Sequence, residues 1–436
     1  MIFDAVYRTD GLPLRMQGNP LIEALPTMLE EREQIGAMAN KPDLNLAESR
    51  QQTTSMRMLD VDVLDELYVP PGMSSRFATC VDQLVRRSYL PRSPLCPKAT
   101  KRLYDVKSLL KDQQVHKTTL AGVIFLEGMS GMGKTRLTRI VLGRLPQVIR
   151  HSPSGCYGMN LCQVVWLSVD APVGGSMHGL MIRMLMALDT ALGIQGTAAA
   201  NAAPGERVSV DTLIGKFAQV AATHKLGILH LDDFQRVTES QVGRERVLHF
   251  IMQLANVIGC PIIFSGTPAT LKVLEKMENK AQGFETARRI CSAGHFSLQR
   301  PIAATDAEFM NMVSILLKFQ WLDDLLGKNA DVFNTLYGLS CGITSVVIHL
   351  HKQAQMWALQ SGRKVLALSD YQLAYDHDLK ALHVPLNNLR KLGVAAEQDF
   401  ERHVQELDQE NGLAGILRSS KTPGATPLDP HAPGSA

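Results

Sequence analysis

The chain has 436 residues, room for two or three domains and at least one large core. With 45% hydrophobic and 20% charged residues it has the composition of an ordinary water-soluble fold, and a net charge of only +3 excludes a globally basic nucleic-acid binder, so any DNA-facing surface must be a local patch. The seven cysteines, Cys80, Cys96, Cys156, Cys162, Cys260, Cys291 and Cys341, form no C-x-x-C pair and no zinc spacing with histidine, which points to free thiols in a reducing cytosol.

Residues 1–118 are irregular and proline-punctuated, with "GNPLIEALP" and "LVRRSYLPRSP" around a methionine-rich, charged, helix-like piece. They predict a small N-terminal helical and extended region and no stable sheet. The opening "MIFDAVYRTDGLPLRM" has acidic residues and no long apolar core, so no signal peptide is expected. No apolar stretch approaches the ~20 residues of a membrane span, which predicts a soluble cytoplasmic protein without a membrane partner.

From 119 to 300 short apolar runs alternate with helical patterns. The runs are "LAGVIFLE" (120–127), "QVVWLSV" (163–169), "LGILHLD" (226–232), "PIIFSG" (261–266) and "GHFSLQ" (294–299). Apolar on both parities, they suit strands buried on both faces of a parallel sheet. In "GRERVLHFIMQLANVIG", Val247, Ile251, Leu254, Ala255 and Ile258 fall at helical spacing. The fold class expected is α/β, a doubly wound parallel core. "QGTAAANAAPGERVS" (195–209) reads as a surface loop. Residues 301–390 read as all-helical, with capping boxes at "TDAE" (305–308) and "SDYQ" (369–372) and a long helix over 344–360. The segment 391–436 reads as a helix and a Pro, Gly and Ser-rich disordered tail.

The motif "GMSGMGKT" (128–135) fits G-x-x-x-x-G-K-[ST] at every fixed position. Glycines let backbone N–H groups curl toward phosphate oxygens. The cradle comprises Gly128, Met129, Ser130, Gly131, Met132, Gly133, Lys134, Thr135 and Arg136. Lys134 reaches the β- and γ-phosphates of ATP, and the Thr135 hydroxyl ligates Mg²⁺. The following helix adds its positive end. A chain of this length and glycine content matches by accident on the order of once in a hundred.

Downstream, "ILHLDDFQ" (228–235) ends an apolar run in two acids. In phosphate-loop enzymes the first acid, here Asp232, holds the metal, and the second, Asp233, orients the attacking water. The alternative is that both simply cap the next helix. In "FSGTP" (264–268), Thr267, or failing it Ser265, can touch the γ-phosphate or the water, unless both are ordinary turn residues. "ETARRI" (285–290) carries Arg288 and Arg289, which can complete a neighbour's ATP site or simply be solvated.

An extra strand between the phosphate-loop strand and the acid strand resembles the AAA+ arrangement, and the helices after it resemble an AAA+ lid. More specifically the chain resembles the TnsC/TniB family of AAA+ regulators of DNA transposition. The resembling segments are "GNPLIEALP", "RRSYLPRSP", "FLEGMSGMGKT", "QVVWLSVDAPVGGSMHGL", "ILHLDDFQ", "VLHFIMQLANVIGCPIIFSGTPA" and "LSCGITSVVIHLHKQAQMWAL", in the family's order over about 18–390. The resemblance implies a bacterial protein that binds ATP and Mg²⁺ and forms homo-oligomeric rings or filaments on double-stranded DNA. It also implies a link between a target selector of TniQ type and a transposase. By motif position it makes Lys134 and Thr135 the ATP and Mg²⁺ residues, Asp232 the metal residue, Asp233 the base, Thr267 the sensor and Arg288 or Arg289 the finger.

Three departures stand out. Asp233 replaces the usual Glu, and its carboxylate falls back by ~1.3–1.5 Å on bond-length grounds. A misplacement of about 1 Å can cost ~100-fold in rate, so slow hydrolysis is expected. "CGITSVV" holds no sensor-two arginine, and the expected DNA-facing loop "APVGGSMHGL" (171–180) holds no Lys or Arg, only Ser176 and His178. Backbone contacts to DNA are then expected from N–H groups, Arg183, Arg207 or basic N-terminal residues. Two other readings remain, an immune-type signalling ATPase and a solo phosphate-loop kinase or ATPase.

Overall fold

In this computed structural model the described residues form eight strands: β1 (Ile2–Asp4), β2 (Val123–Gly128), β3 (Val148–His151), β4 (Leu161–Val164), β5 (Trp166–Asp170), β6 (Ile228–Asp232), β7 (Ile262–Gly266) and β8 (Gly294–Leu298). The structure describes residues 2–101, 121–172, 175–194, 209–239, 251–252, 254–270, 291–391 and 393–411. Five strands make one parallel sheet in the order β5-β6-β7-β2-β8. Counted by appearance within that sheet the order is 2-3-4-1-5, so the phosphate-loop strand β2 lies inside it and β7 separates it from the acid strand β6. This is the α/β fold of AAA+ phosphate-loop proteins, with a helical C-terminal region.

Every residue of β6 and β7 is buried, as the apolar runs require. Alternate residues feed opposite faces. Phe125, Leu167, Leu229, Leu231, Ile262 and Phe264 pack with Met177–Leu192 and Val210–Thr223, and with Ile251, Leu254, Ala255 and Ile258. Val247 lies outside the described residues. Ile124, Leu126, Ile228 and Ile263 pack on the other face with Lys134–Gly143 and Ser74–Tyr89. Gly227, just before β6, sits where a Cβ would strike the Tyr89 hydroxyl and the Val165 carbonyl, so only glycine lets the strands and helix close.

Two features correct the expected strands. The run at 163–169 is not one strand: β4 pairs antiparallel with β3, the chain crosses over at Val165, and β5 joins the main sheet. The N-terminal region does contribute to a sheet, because β1 pairs in parallel with β3. A polar network backs that small sheet. The Tyr7 hydroxyl meets His151 Nδ1 at 2.8 Å, His151 Nε2 meets Gln163 Oε1 at 2.9 Å, and Gln163 Nε2 donates to the Leu21 carbonyl at 3.0 Å.

Residues 41–67 leave and return through a neck in which Asn40 and Tyr68 exchange both backbone hydrogen bonds. The excursion packs on the lid helices. Lys352 Nζ bridges Asp62 (3.0 Å) and Asp65 (2.7 Å), Arg50 Nε donates to the Gln320 carbonyl (2.8 Å), and Arg57 pairs with Asp323 (2.9 Å).

The lid comprises Ala307–Leu316, Ala330–Ser340 and Thr344–Gln360, followed by Leu368–Asp378. The long helix expected over 344–360 matches. Both capping expectations shift: Asp306, not Thr305, caps the first helix by accepting from the Glu308 and Phe309 amides. Ser369 lies inside its helix, where Asp370 Oδ2 instead accepts from the Ala367 amide at 2.8 Å. Residues 375–436 cluster as a separate unit, within which His383–Leu389 and Val394–Asn411 pack together through buried residues such as Leu386, Leu389, Ala396 and Phe400. Among the described residues no single helix is long and apolar enough to cross a membrane.

Candidate functional site

The phosphate loop follows β2. Gly131 and Gly133 take φ of +81° and +92°, left-handed values that glycine adopts without Cβ strain. Gly128 is fixed from the side, since a Cβ there would lie 2.9 Å from Leu298 Cβ on β8. Lys134 opens the following helix and is 7% exposed; its Nζ folds back over the loop, donating to the carbonyls of Gly128 at 2.7 Å and Met129 at 3.2 Å. An ammonium over a helix N-terminus makes the loop an anion site. Met129 is buried, Ser130, Met132 and Thr135 are part-exposed, and Thr135 occupies the helix's first turn. Arg136 does not serve the cradle with its side chain. Its guanidinium donates to the Glu66 carbonyl at 2.6 Å and lies 5.3 Å from the Tyr68 ring centroid, which commits it to the neck.

The lid touches the loop directly. The Ser345 amide donates to the Gly131 carbonyl at 3.0 Å, and a Cβ on Gly131 would strike Ser345 Oγ and come within 2.9 Å of Ile343 Cγ2. The helix Thr344–Gln360 therefore begins on top of the loop. Where the sequence offers no arginine, backbone and small side chains make the contact.

Asp232 ends β6 and is 2% exposed. Its Oδ1 accepts from the Asp233 amide at 3.0 Å. Among the described residues the basic group within 4.0 Å of it is His230, whose Nε2 is 3.9 Å away and whose pKa burial pushes below its ordinary value. His230 is held between Ser168 Oγ and Ser265 Oγ, each at 2.8 Å, in a chain across β5, β6 and β7. Ser265 is thus turned to His230. Among the described residues this buried carboxylate faces no Lys or Arg within 4.0 Å, a setting whose chemistry fits a metal ion. Among the described residues no cluster of three or more His, Cys, Asp or Glu can hold an ion alone. A magnesium ion would then be shared among Asp232, the Thr135 hydroxyl, phosphate oxygens and water.

Asp233 sits at φ +51°, a left-handed position that Asp tolerates better than bulkier residues. The turn drives Phe234 inward, its amide donating to the Ser265 carbonyl at 2.9 Å and its ring 4.3 Å from that of Phe264. The Asp233 carboxylate is left at the sheet edge, paired with Arg236 Nη2 at 3.0 Å and accepting from Gln235 Nε2 at 3.1 Å. Burial raises its pKa and Asp232 adds to the rise, while Arg236, Gln235 and Lys134 oppose it. The Asp233 carbonyl accepts from the Arg236 amide at 3.0 Å, in the first turn of the helix Gln235–Glu239. Thr267 is 1% exposed and its hydroxyl meets that of Thr270 at 3.2 Å, a turn contact.

At the end of β5, Asp170 stands in register beside Asp232. Arg139 reaches its carboxylate at 4.0 Å and Arg183 Nη1 donates to its carbonyl at 3.2 Å. Ser176 caps Met177–Leu192 by accepting from the Gly179 amide, and His178 and Arg183 are exposed. Arg207, Arg288 and Arg289 lie outside the described residues. The sequence reading missed Asp170, Gln235, Arg236 and Ser345. Only Asp170 left a signal, since "WLSVD" ends in an acid just as "ILHLD" does.

The AAA domain family model matches residues 117–274. No curated protein matches the chain. Solved structures similar to it include Cdc6p from Pyrobaculum aerophilum (13% identity, 78% of this chain and 87% of that one, TM-score 0.39). The Aeropyrum pernix ORC2 protein in its ADP form shares 17% identity over 75% of this chain and 85% of its own, at TM-score 0.37. The Thermotoga maritima RuvB Holliday junction branch migration motor shares 11% over 75% and 84%, at TM-score 0.33. Superpositions this loose carry no functional argument; the nucleotide-binding AAA domain rests on the sheet order, the phosphate loop and the family match.

Proposed function

We propose that the chain is an ATP-gated regulator of DNA transposition of the TnsC/TniB kind, which binds ATP and Mg²⁺, assembles on double-stranded DNA and hydrolyses slowly. The observation that carries the nucleotide half is the placement at the C-terminal ends of β2 and β6 of the Lys134 loop, the buried Asp232 and the Asp233 carboxylate, with a lid helix seated on Gly131. Lys134 binds phosphate, Thr135 and Asp232 hold the ion, and Asp233 orients the attacking water. The short Asp233 side chain, tied to Arg236, supports slow turnover. The transposition half rests on the sequence blocks, above all "QLANVIGCPIIFSGTPA". In this reading Arg288 or Arg289 completes a neighbour's site, and sequence-tolerant DNA contacts come from Ser176, His178, Arg183 and Arg207 and from backbone N–H groups. A transposase and a TniQ-type target selector are the protein partners, in a bacterial cytoplasm.

The test is negative-stain imaging of the protein with duplex DNA plus ATP, ADP or a non-hydrolysable analogue. Rings or filaments on DNA with ATP or the analogue, and none with ADP, are expected. Monomers in every state would overturn the assembly reading, and assembly indifferent to DNA would favour a signalling switch.

A further inference from the structure

The contacts of Arg236 reach beyond its pairing with Asp233. Its guanidinium faces two ways. Nη2 pairs with Asp233 Oδ2 at 3.0 Å, and Nη1 lies 3.5 Å from the carbonyl oxygen of Ala171. Ala171 is 1% exposed and continues the sheet, its own amide donating to the Asp232 carbonyl at 2.9 Å. One side chain therefore spans from the second acid to the root of the loop that follows β5. Gln235 Nε2 holds the other oxygen of the same carboxylate at 3.1 Å.

The direction of this hold matters. A water-orienting carboxylate must turn a lone pair toward the water, and each donor it already satisfies fixes where its oxygens point. Here both oxygens already accept from side chains on the residues that follow it, and both donors belong to the short helix Gln235–Glu239, not to the phosphate loop. The backbone at φ +51° fixes where the carboxylate starts, so freeing it takes only a side-chain rotation away from Arg236. The pair is about one-third exposed on both sides (30% and 33%), which makes it weak enough to break in service.

We propose that Arg236 is a positioning residue that acts as a brake: in the unassembled protein it holds Asp233 away from the attacking water, and displacement of the loop root at Ala171 releases it. The proposal rests on the reading of Asp233 as the hydrolytic base and deepens it. Through the contacts described, Arg236 acts on Asp233 and the loop root. Anything that binds the loop after β5 and shifts the Ala171 carbonyl removes one of the two anchors of the guanidinium.

The test is steady-state ATP hydrolysis by dilute protein without DNA, comparing wild type with Arg236→Ala, Arg236→Lys, Asp233→Ala and the Arg236→Ala/Asp233→Ala double variant. Releasing a part-exposed ion pair raises kcat by about two- to fivefold in Arg236→Ala, with KM for ATP unchanged. Arg236→Lys, which keeps the charge but loses the two-way fork, falls between Arg236→Ala and wild type. The double variant drops to the Asp233→Ala floor. An unchanged or lower kcat in a folded Arg236→Ala protein overturns the brake. If Asp233→Ala hydrolyses as fast as wild type, the base assignment itself falls. The two failures are therefore separable. A merely structural Arg236 lowers thermal stability and kcat together, so a raised kcat is the outcome that role cannot produce.

Discussion

Replacing Gly131 by alanine separates two demands on the phosphate loop. Gly131 and Gly133 both sit at left-handed φ, so an added Cβ strains either by about 1–2 kcal/mol. Only at Gly131 does the Cβ meet a neighbour, striking Ser345 Oγ and approaching Ile343 Cγ2 at 2.9 Å; at Gly133 nothing lies within 4 Å. Overpacking of that kind costs about 1–3 kcal/mol, and the softest response is for the lid helix to lift. The Ser345 amide, bonded to the Gly131 carbonyl at 3.0 Å, reports the lift. At 1.4 kcal/mol per factor of ten, Gly131→Ala should lower Ser345 amide protection from hydrogen exchange by about 5- to 150-fold beyond the Gly133→Ala effect. Ser345→Ala in the Gly131→Ala background removes the Oγ clash and should recover part of that loss. Equal protection in the two single variants, or no recovery in the double, would refute the idea that the lid is seated on the loop through this contact.

Other consequences are equally concrete. Gly227→Ala pushes a methyl into a backbone carbonyl and a buried tyrosine hydroxyl, and should cost about 1–3 kcal/mol or more in urea denaturation; an unchanged midpoint contradicts the packing described. Lys134→Ala removes the ammonium over the loop and should weaken ATP binding by about 10- to 100-fold by calorimetry, with wild-type affinity counting against the site. His351 is fully buried between the Tyr371 hydroxyl and the Phe319 carbonyl, and burial lowers its pKa to about 4 from an ordinary 6.5. Because the unfolded chain takes up that proton first, its contribution is full above pH 6.5 and is lost as pH falls toward 4, by roughly 3 kcal/mol in all. His351→Gln should flatten the stability–pH curve in that window, and parallel curves for variant and wild type would dismiss the assignment.

The parallel core was legible because strands buried on both faces must be apolar on both parities, and those at 123–128, 228–232 and 262–266 are. The phosphate loop was legible because each fixed position answers a local need, such as the positive φ of Gly131 and Gly133. Residues whose partners are remote in sequence were not. Nothing near Ser345 announces that it meets Gly131, and the split of 161–170 between two sheets depends on β6, whose Ile228 lies in register with Trp166 and draws β5 away from β3. Arg236 carried no mark in the sequence; its pairing depends on the left-handed turn at Asp233, which no pattern of residue types encodes. The first cap slid by one residue to Asp306, whose carboxylate accepts from two helix amides, and at the second helix Asp370, inside the first turn, accepts from the Ala367 amide that precedes it.

The neck between Asn40 and Tyr68 bears on how the lid can move. The lid helices are joined to the sheet by residues 299–306, and again, non-covalently, through the 41–67 excursion that Lys352, Arg50 and Arg57 bind to them. The lid also meets the phosphate loop at Gly131, through the Ser345 amide, and Glu308 accepts from the Gly72 amide at 2.9 Å. Arg136, directly after the phosphate loop's Thr135, grips the neck through Glu66 and Tyr68. The stretch from Gly131 to Arg136 therefore meets the lid's long helix at one end and the neck of the lid-bound excursion at the other, so loop and lid cannot shift independently.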